Sequence, residues 1–244
     1  MKIIFLSKSK TYTCRLLRHM IAEYEVVGLV CKSRDMLFGT DMYKICVDNA
    51  VPIFGTDEMY SLLERGEFPK ADIAISNTYG RLIRKELISH VNGMCINFHG
   101  AILPDYKGLF AYNHGLLNEE QEWGVTAHFV NEKFDEGEII EISKFRIDPK
   151  SISVKELEEQ TQKKALELTV ELLRRFELGE SFTSHPQEGR GRYYSLADFE
   201  EAKRINQTDS YELIDRKIHA FYCPPYEGAY IELAGKHYEL KPRT

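Results

Sequence analysis

The chain has 244 residues, 43% hydrophobic and 29% charged, a composition that supports a packed core and excludes disorder as the default. Its formal net charge of −6 argues against a general nucleic-acid binder, because phosphate contacts need clustered Lys and Arg. Five scattered cysteines (Cys14, Cys31, Cys46, Cys95 and Cys223) form no C-x-x-C pair, and no close His pairing supports a metal site.

The first run, Lys2 to Ser7, is apolar and of strand length, with neither a signal-peptide core nor a cleavage site. No segment reaches the apolar length of a membrane span, so a reduced, cytoplasmic setting with free thiols is expected. Thr11 to Tyr24 carries Leu16, Leu17, Met20 and Ile21 at helical spacing. Val26 to Cys31 reads as a strand, Met36 to Asp48 as a helix, and Val51 to Phe54 as a short strand. Thr56 is the expected N-cap of the next helix, with Asp57 and Glu58 in its first turn. Ala71 to Ser76 is a further strand, the turn Asn77–Gly80 follows, and a helix is predicted from Arg81 to His90 before the strand Met94 to Phe98.

This alternation argues for a doubly wound α/β fold with a mostly parallel sheet, whose ligands sit outside the carboxyl ends of the strands. The first turn, LSKSKTYT, lacks the Gly-x-Gly-x-x-Gly dinucleotide fingerprint. After Gly108 a helix is expected to Asn118, then strands Gly124–Val130 and Glu138–Ser143, then a long helix from Val154 to Leu178. Ser184 to Gly191 is polar and reads as a linker or excursion. Beyond it lie short aromatic segments, with a hairpin expected from Tyr230–Leu233 and His237–Leu240. The chain thus divides into 1–184, an α/β core, and 185–244, a small β-rich unit.

Asn97 and His99 end a strand two residues apart, so both face one side of the sheet. An amide can donate to a developing oxyanion, and an imidazole can carry a proton near neutral pH. Asp135, in the tight segment Phe134–Gly137, is a candidate carboxylate to orient the imidazole. On spacing alone, an Asn-x-His pair is more often turn polarity or a satisfied histidine than a catalytic pair.

The surrounding residues change that weighting. NFHGAILPDYKG (97–108) and the later GVTAHFVNEKFDEGEII resemble the catalytic core of the folate-dependent formyltransferases, matching at Asn97, His99, Leu103, Pro104, Tyr106, Lys107, Gly108, Gly124, Thr126, His128, Asp135 and Gly137. Ala101 stands where many members have Ser. The resemblance implies a formyltransferase-type Rossmann core with N10-formyltetrahydrofolate as co-substrate, no metal, and Asn97, His99 and Asp135 as the catalytic set. It also implies that the pterin contacts Asn77, Thr78, Tyr79, Gly80, Arg81, Leu82 and Ile83 on one loop and Glu132, Lys133 and Phe134 on another. An ordinary turn into a helix is the competing reading of the Tyr79-Gly80 loop.

For the acceptor, the C-terminal run INQTDSYELIDRKIHAFYCPPYEGAYIEL resembles the sugar N-formyltransferases that act on dTDP-linked amino sugars, of the dTDP-4-amino-4,6-dideoxyglucose type. Substrate-binding candidates are then Lys8, Lys10, Gly100, Tyr106, Lys107 and Arg192, with Phe221, Tyr222 and Tyr226 as rings for a thymine base. The competing readings are aromatics filling a small core and basic residues on solvated helix faces. Lys203, Arg204, Arg216 and Lys217 are further diphosphate candidates. The resemblance implies a homodimer with no nucleic-acid or membrane partner, serving a surface polysaccharide such as lipopolysaccharide O-antigen. Three alternatives differ in class: a formyltetrahydrofolate hydrolase with water as acceptor, a methionyl-tRNA formyltransferase, and a non-catalytic folate- or nucleotide-binding module.

Overall fold

The structure, a computed structural model, describes residues 1–189 and 191–242. In chain order it comprises β1 (Lys2–Ser7), α1 (Thr11–Glu23), β2 (Glu25–Cys31), α2 (Arg34–Leu37), α3 (Asp41–Asp48), β3 (Ile53–Gly55), α4 (Thr56–Arg65), β4 (Ile73–Asn77), α5 (Lys85–His90) and β5 (Cys95–His99). There follow β6 (Lys107–Gly108), α6 (Ala111–Leu117), β7 (Glu122–Phe129), β8 (Ile139–Arg146) and α7 (Val154–Glu177). The C-terminal part adds β9 (Tyr193–Tyr194), α8 (Leu196–Lys203), β10 (Arg204–Ile205), α9 (Tyr211–Phe221), β11 (Tyr230–Leu233) and β12 (Lys236–Glu239).

The main sheet runs β3-β2-β1-β4-β5-β7-β8. Its first four pairings are parallel, and β5 pairs antiparallel with β7. The strand order reverses between β1 and β4, which places a topological switch point at the ends of Ser7 and Asn77. This is the doubly wound, mostly parallel architecture that the alternating apolar runs predict. The expected C-terminal β unit is a three-stranded sheet, β10-β11-β12, in which β11 and β12 form the hairpin.

Two compact units divide the chain. One comprises Met1–His99, Thr126–Ile142 and Ala165–Gln187; the other comprises Gly100–Val125, Ser143–Lys164 and Glu188–Thr244. This partition interleaves along the sequence and differs from a single division at 184/185. In the first unit, Ile4, Leu6, Val30, Met59, Ala74 and Leu87 belong to one buried cluster. In the second, Trp123 is fully buried and shares one cluster with Leu157, Tyr106, Tyr194, Phe221 and Ala220.

Three helix boundaries depart from the sequence reading. The helix expected over 36–48 is broken because Gly39 adopts φ +76 and Thr40 caps α3, its side chain accepting from Tyr43 N–H at 3.3 Å. The residue before α4 is Gly55 rather than Thr56. Glu58 accepts from Gly55 N–H at 3.2 Å, while Thr56 turns its hydroxyl to Cys31 O at 3.2 Å and Tyr79 Oη at 2.7 Å. The helix expected from Arg81 starts only at Lys85. Thr78 and Gly80 take positive φ, and Arg84 N–H donates to Tyr60 Oη at 2.7 Å instead of opening a helical turn.

Candidate active site

The site is built on the last residues of β4 and β5 and the facing half of β7. Parallel pairing sets Ser76 beside Asn97, and antiparallel pairing sets Asn97 opposite His128 and His99 opposite Thr126. Strand alternation then puts Ser76, Asn97 and His128 on one face of the sheet, while Phe98 goes to the other and is buried.

Hydrogen bonding fixes the orientation of each group. His128 Nδ1 lies 2.8 Å from Phe129 O, a pure acceptor, so Nδ1 carries the proton and Nε2 is left to accept. Asn97 Nδ2 donates to that Nε2 at 3.0 Å, and Ser76 Oγ donates to Asn97 Oδ1 at 2.8 Å. The amide is therefore held at both ends, with its second N–H turned towards Asp135 Oδ1, 3.4 Å away. His99 Nδ1 lies 3.6 Å and His128 Nε2 3.8 Å from the same oxygen. The His99, His128 and Asp135 side chains are 10%, 3% and 12% exposed, so this convergence lies in a largely water-excluded setting.

Asp135 reaches this position through an unusual backbone. It adopts φ +53, a left-handed conformation costly for a residue with a Cβ. Gly137 follows so closely that an added Cβ would collide with the Phe129 carbonyl. The Asp-x-Gly spacing therefore has a local cause: the first residue bends the loop, and the second lets it lie against β7.

The expected pterin loop follows β4. Asn77 is 1% exposed, and its Oδ1 is buried with no hydrogen-bond partner; Thr78 Oγ1 is in the same condition. Orphaned polar atoms at a strand's carboxyl end are the residue pattern a polar ligand edge would satisfy. Tyr79 is buried and bonded to Thr56, and burial pushes its hydroxyl pKa up to about 12. Ile83 is buried too, whereas Gly80, Arg81 and Leu82 are exposed. On the other loop Glu132, Lys133 and Phe134 are exposed, with Lys133 Nζ 3.3 Å from Glu136.

The acceptor candidates separate more sharply. Lys8 and Lys10 are exposed beyond the end of β1. In the second unit, Tyr106 is a structural residue: its hydroxyl donates to Glu120 at 2.6 Å and its ring meets Trp123 and Tyr194. Lys107 is 7% exposed within β6, and a Cβ on Gly100 would strike the Tyr112 hydroxyl. Phe221, expected to offer its ring to a base, is 2% exposed and packs edge-on against Phe199 and His114. That correction follows from the period of α9, whose apolar side faces the core. Tyr222 and Tyr226 are 37% and 71% exposed and keep their rings available.

Four of the basic residues offered for a diphosphate are engaged inside the second unit. Lys203 pairs with Glu200 at 3.0 Å, Lys217 with Asp209 at 2.7 Å, Arg216 with Glu119 at 2.8 Å, and Arg204 with Glu232 at 3.4 Å. Arg192 lies over the Tyr194 ring with its side chain 65% exposed. Among the described residues, no cluster of His, Cys, Asp and Glu could hold a metal ion, and no helix is long and apolar enough to cross a membrane.

Two residues of the site were not singled out from the sequence. His128 is legible in the sequence only as a motif match, because the β5–β7 pairing that sets it opposite Asn97 is a long-range contact. Gln187, in the supposed linker, donates to Asp135 O at 2.7 Å and Gly137 O at 2.9 Å.

Comparison with known proteins agrees with this geometry. Residues 44–173, more than half of the chain, match the family model described as formyl transferase, and that stretch contains Asn97, His99, His128 and Asp135. The chain belongs to the formyl transferase family. It is 26% identical over 230 residues to the methionyl-tRNA formyltransferase of Wolbachia pipientis subsp. Culex pipiens, covering 91% of this chain and 75% of that relative. Among solved structures it resembles a 4-N formyltransferase from Francisella tularensis, with a TM-score of 0.82, 20% identity, and coverage of 99% and 96%. It also resembles the N-formyltransferase from Helicobacter canadensis in complex with folinic acid and dTDP-3-aminofucose, with a TM-score of 0.75, 20% identity, and coverage of 96% and 84%.

Proposed function

We propose that this formyltransferase moves a formyl group from N10-formyltetrahydrofolate to the amine of a dTDP-linked amino-dideoxy sugar. The observation that carries the chemistry is the convergence of Asn97 Nδ2, His99 Nδ1 and His128 Nε2 on Asp135 Oδ1, all between 3.4 and 3.8 Å. The neutral amine attacks the formyl carbon, giving a tetrahedral intermediate with an oxyanion and a surplus proton on the attacking nitrogen. The second N–H of Asn97 and the His99 imidazole stabilise the oxygen, while His99 or Asp135, directly or through water, accepts the one surplus proton. When the bond to N10 breaks, that nitrogen takes up a proton, so protons balance without a covalent enzyme intermediate. Asn77 and Thr78 hold the donor through their unpaired polar atoms.

The acceptor class rests on the solved relatives. The two described above match nearly the whole chain, and the Helicobacter canadensis protein was crystallised with a dTDP-amino sugar. The net charge of −6 weighs the same way, since a tRNA acceptor calls for a basic surface. Arg192, Tyr222 and Tyr226 are the exposed candidates for the nucleotide within the second unit. In this reading the protein works in the cytoplasm as a homodimer and supplies a formamido sugar for a bacterial surface polysaccharide. The methionyl-tRNA reading is favoured by the curated relative and is kept as the second reading.

Incubation with N10-formyltetrahydrofolate and a panel of dTDP-amino sugars, read by a formyl mass gain on the sugar, tests the proposal. Formylated methionyl-tRNA with unmodified sugars would select the second reading, and formate release without any acceptor would select a hydrolase. Asn97→Ala, His99→Ala and Asp135→Ala should each lower kcat by about two to four orders of magnitude. Near-normal turnover in His99→Ala would remove the assigned mechanism.

A further inference from the structure

The segment after α7 has the composition of a linker, yet in the first unit it lies along the start of β8. His185 and Ile139 exchange backbone hydrogen bonds at 2.9 and 3.0 Å, and Ser184 Oγ donates to Glu138 Oε2 at 2.6 Å. This short antiparallel bridge aims Gln187 at the bend that carries Asp135. Gln187 Nε2 donates both protons there, to Asp135 O at 2.7 Å and to Gly137 O at 2.9 Å. The amide orientation is forced, because two carbonyls accept and neither can donate. Its cost is visible on the other side: Gln187 Oε1 is buried without a hydrogen-bond partner. An acceptor stranded in this way is tolerated where the opposite end of the side chain fixes something the fold needs.

We infer that Gln187 is a positioning residue for the Asp135 carboxylate. It staples the two carbonyls that flank the Asp135–Gly137 bend and so holds Asp135 at φ +53, the backbone setting that brings Oδ1 within reach of Asn97 and His99. The inference rests on the reading of Asp135 as catalytic, and it assigns a task to a segment that otherwise only connects α7 to β9. Side-chain chemistry, not volume, is what the position requires. Methionine fills the same space with no proton to donate. Glutamate is nearly isosteric, but its ionised carboxylate also donates nothing and sets negative charge against two carbonyl oxygens.

The test uses the full chain and two readouts. Hydrogen exchange read by mass spectrometry should show the peptide spanning 131–138 exchanging about tenfold faster in Gln187→Met, with β1 and β4 peptides unchanged. Formyl transfer should fall about 10- to 100-fold in kcat with KM for the donor within about threefold, since a small displacement of a catalytic group acts on the transition state. Gln187→Glu should fall at least as far as Gln187→Met. In an Asp135→Asn background, Gln187→Met should cost less than about threefold more, because a residue acting through Asp135 has nothing left to position. Wild-type exchange in the 131–138 peptide, faster exchange throughout the chain, full activity in Gln187→Glu, or additive losses in the double variant would each overturn the assignment. If the wild-type chain transfers no formyl group at all, the functional reading fails, and the exchange comparison still decides whether Gln187 holds the bend.

Discussion

Replacing His114 by phenylalanine should remove a specific weakness of the second unit in acid. The imidazole is 3% exposed, stacks on Tyr194 at 3.9 Å and 25°, and meets Phe221 edge-on at 6.4 Å. Its Nε2 is buried with no hydrogen-bond partner. Burial, with the Arg192 charge adding and Asp198 opposing, lowers its pKa from 6.5 to about 4. The folded pKa therefore lies below the unfolded one, and between these values the unfolded chain binds the extra proton. Stability is complete above the unfolded value and declines as pH falls towards the folded value. At 1.36 kcal/mol per pKa unit the decline amounts to roughly 3 kcal/mol. Phenylalanine keeps the size and the ring contacts but has no proton to gain. Urea unfolding of both proteins, followed through the fluorescence of the buried Trp123, gives the difference in stability at each pH. That difference should shift in favour of His114→Phe by roughly 2–3 kcal/mol between about pH 7 and about pH 4.5, while titrations common to both proteins cancel. A difference that stays constant within about 0.5 kcal/mol would refute the link between this burial and acid sensitivity.

Gly115→Ala should destabilise the second unit by about 1–3 kcal/mol, because a Cβ there would drive into the Trp123 ring; thermal or urea unfolding measures the loss. Lys217→Ala should cost about 1–3 kcal/mol, since it leaves the half-buried Asp209 carboxylate without its 2.7 Å partner and the Arg204 carbonyl without its 2.6 Å donor. Asp209→Ala combined with Lys217→Ala should lose less than the sum of the single changes, as a double-mutant cycle would show.

The helices that the sequence misplaced share a cause. Alternation of apolar runs located β1, β2, β4 and β5, and apolar spacing located α1 and α7, because those patterns follow from backbone period alone. The break between α2 and α3 and the late start of α5 depend on positive φ at Gly39, Thr78 and Gly80, and on the Tyr60 hydroxyl taking Arg84 N–H. None of these is a periodic feature. The polar segment 184–187 was likewise illegible, since a linker and a bracing strap have the same composition until the long-range pairing of His185 with Ile139 is formed.

By itself, the sequence determined the strand end that places Asn97 and His99 on one face, the Asp-x-Gly bend downstream, and the order of motifs that marks the family. Those properties are local: side-chain alternation, turn chemistry and linear spacing. Only the tertiary structure decided which groups meet. Antiparallel pairing of β5 with β7 put His128 opposite Asn97, where it fixes the amide. Packing of the second unit turned Phe221, Tyr106 and Lys107 inward and left Tyr222, Tyr226 and Arg192 exposed. The physical reason is that register and burial are set by contacts between residues far apart in the chain, and the spacing of NFHGAILPDYKG carries no information about them.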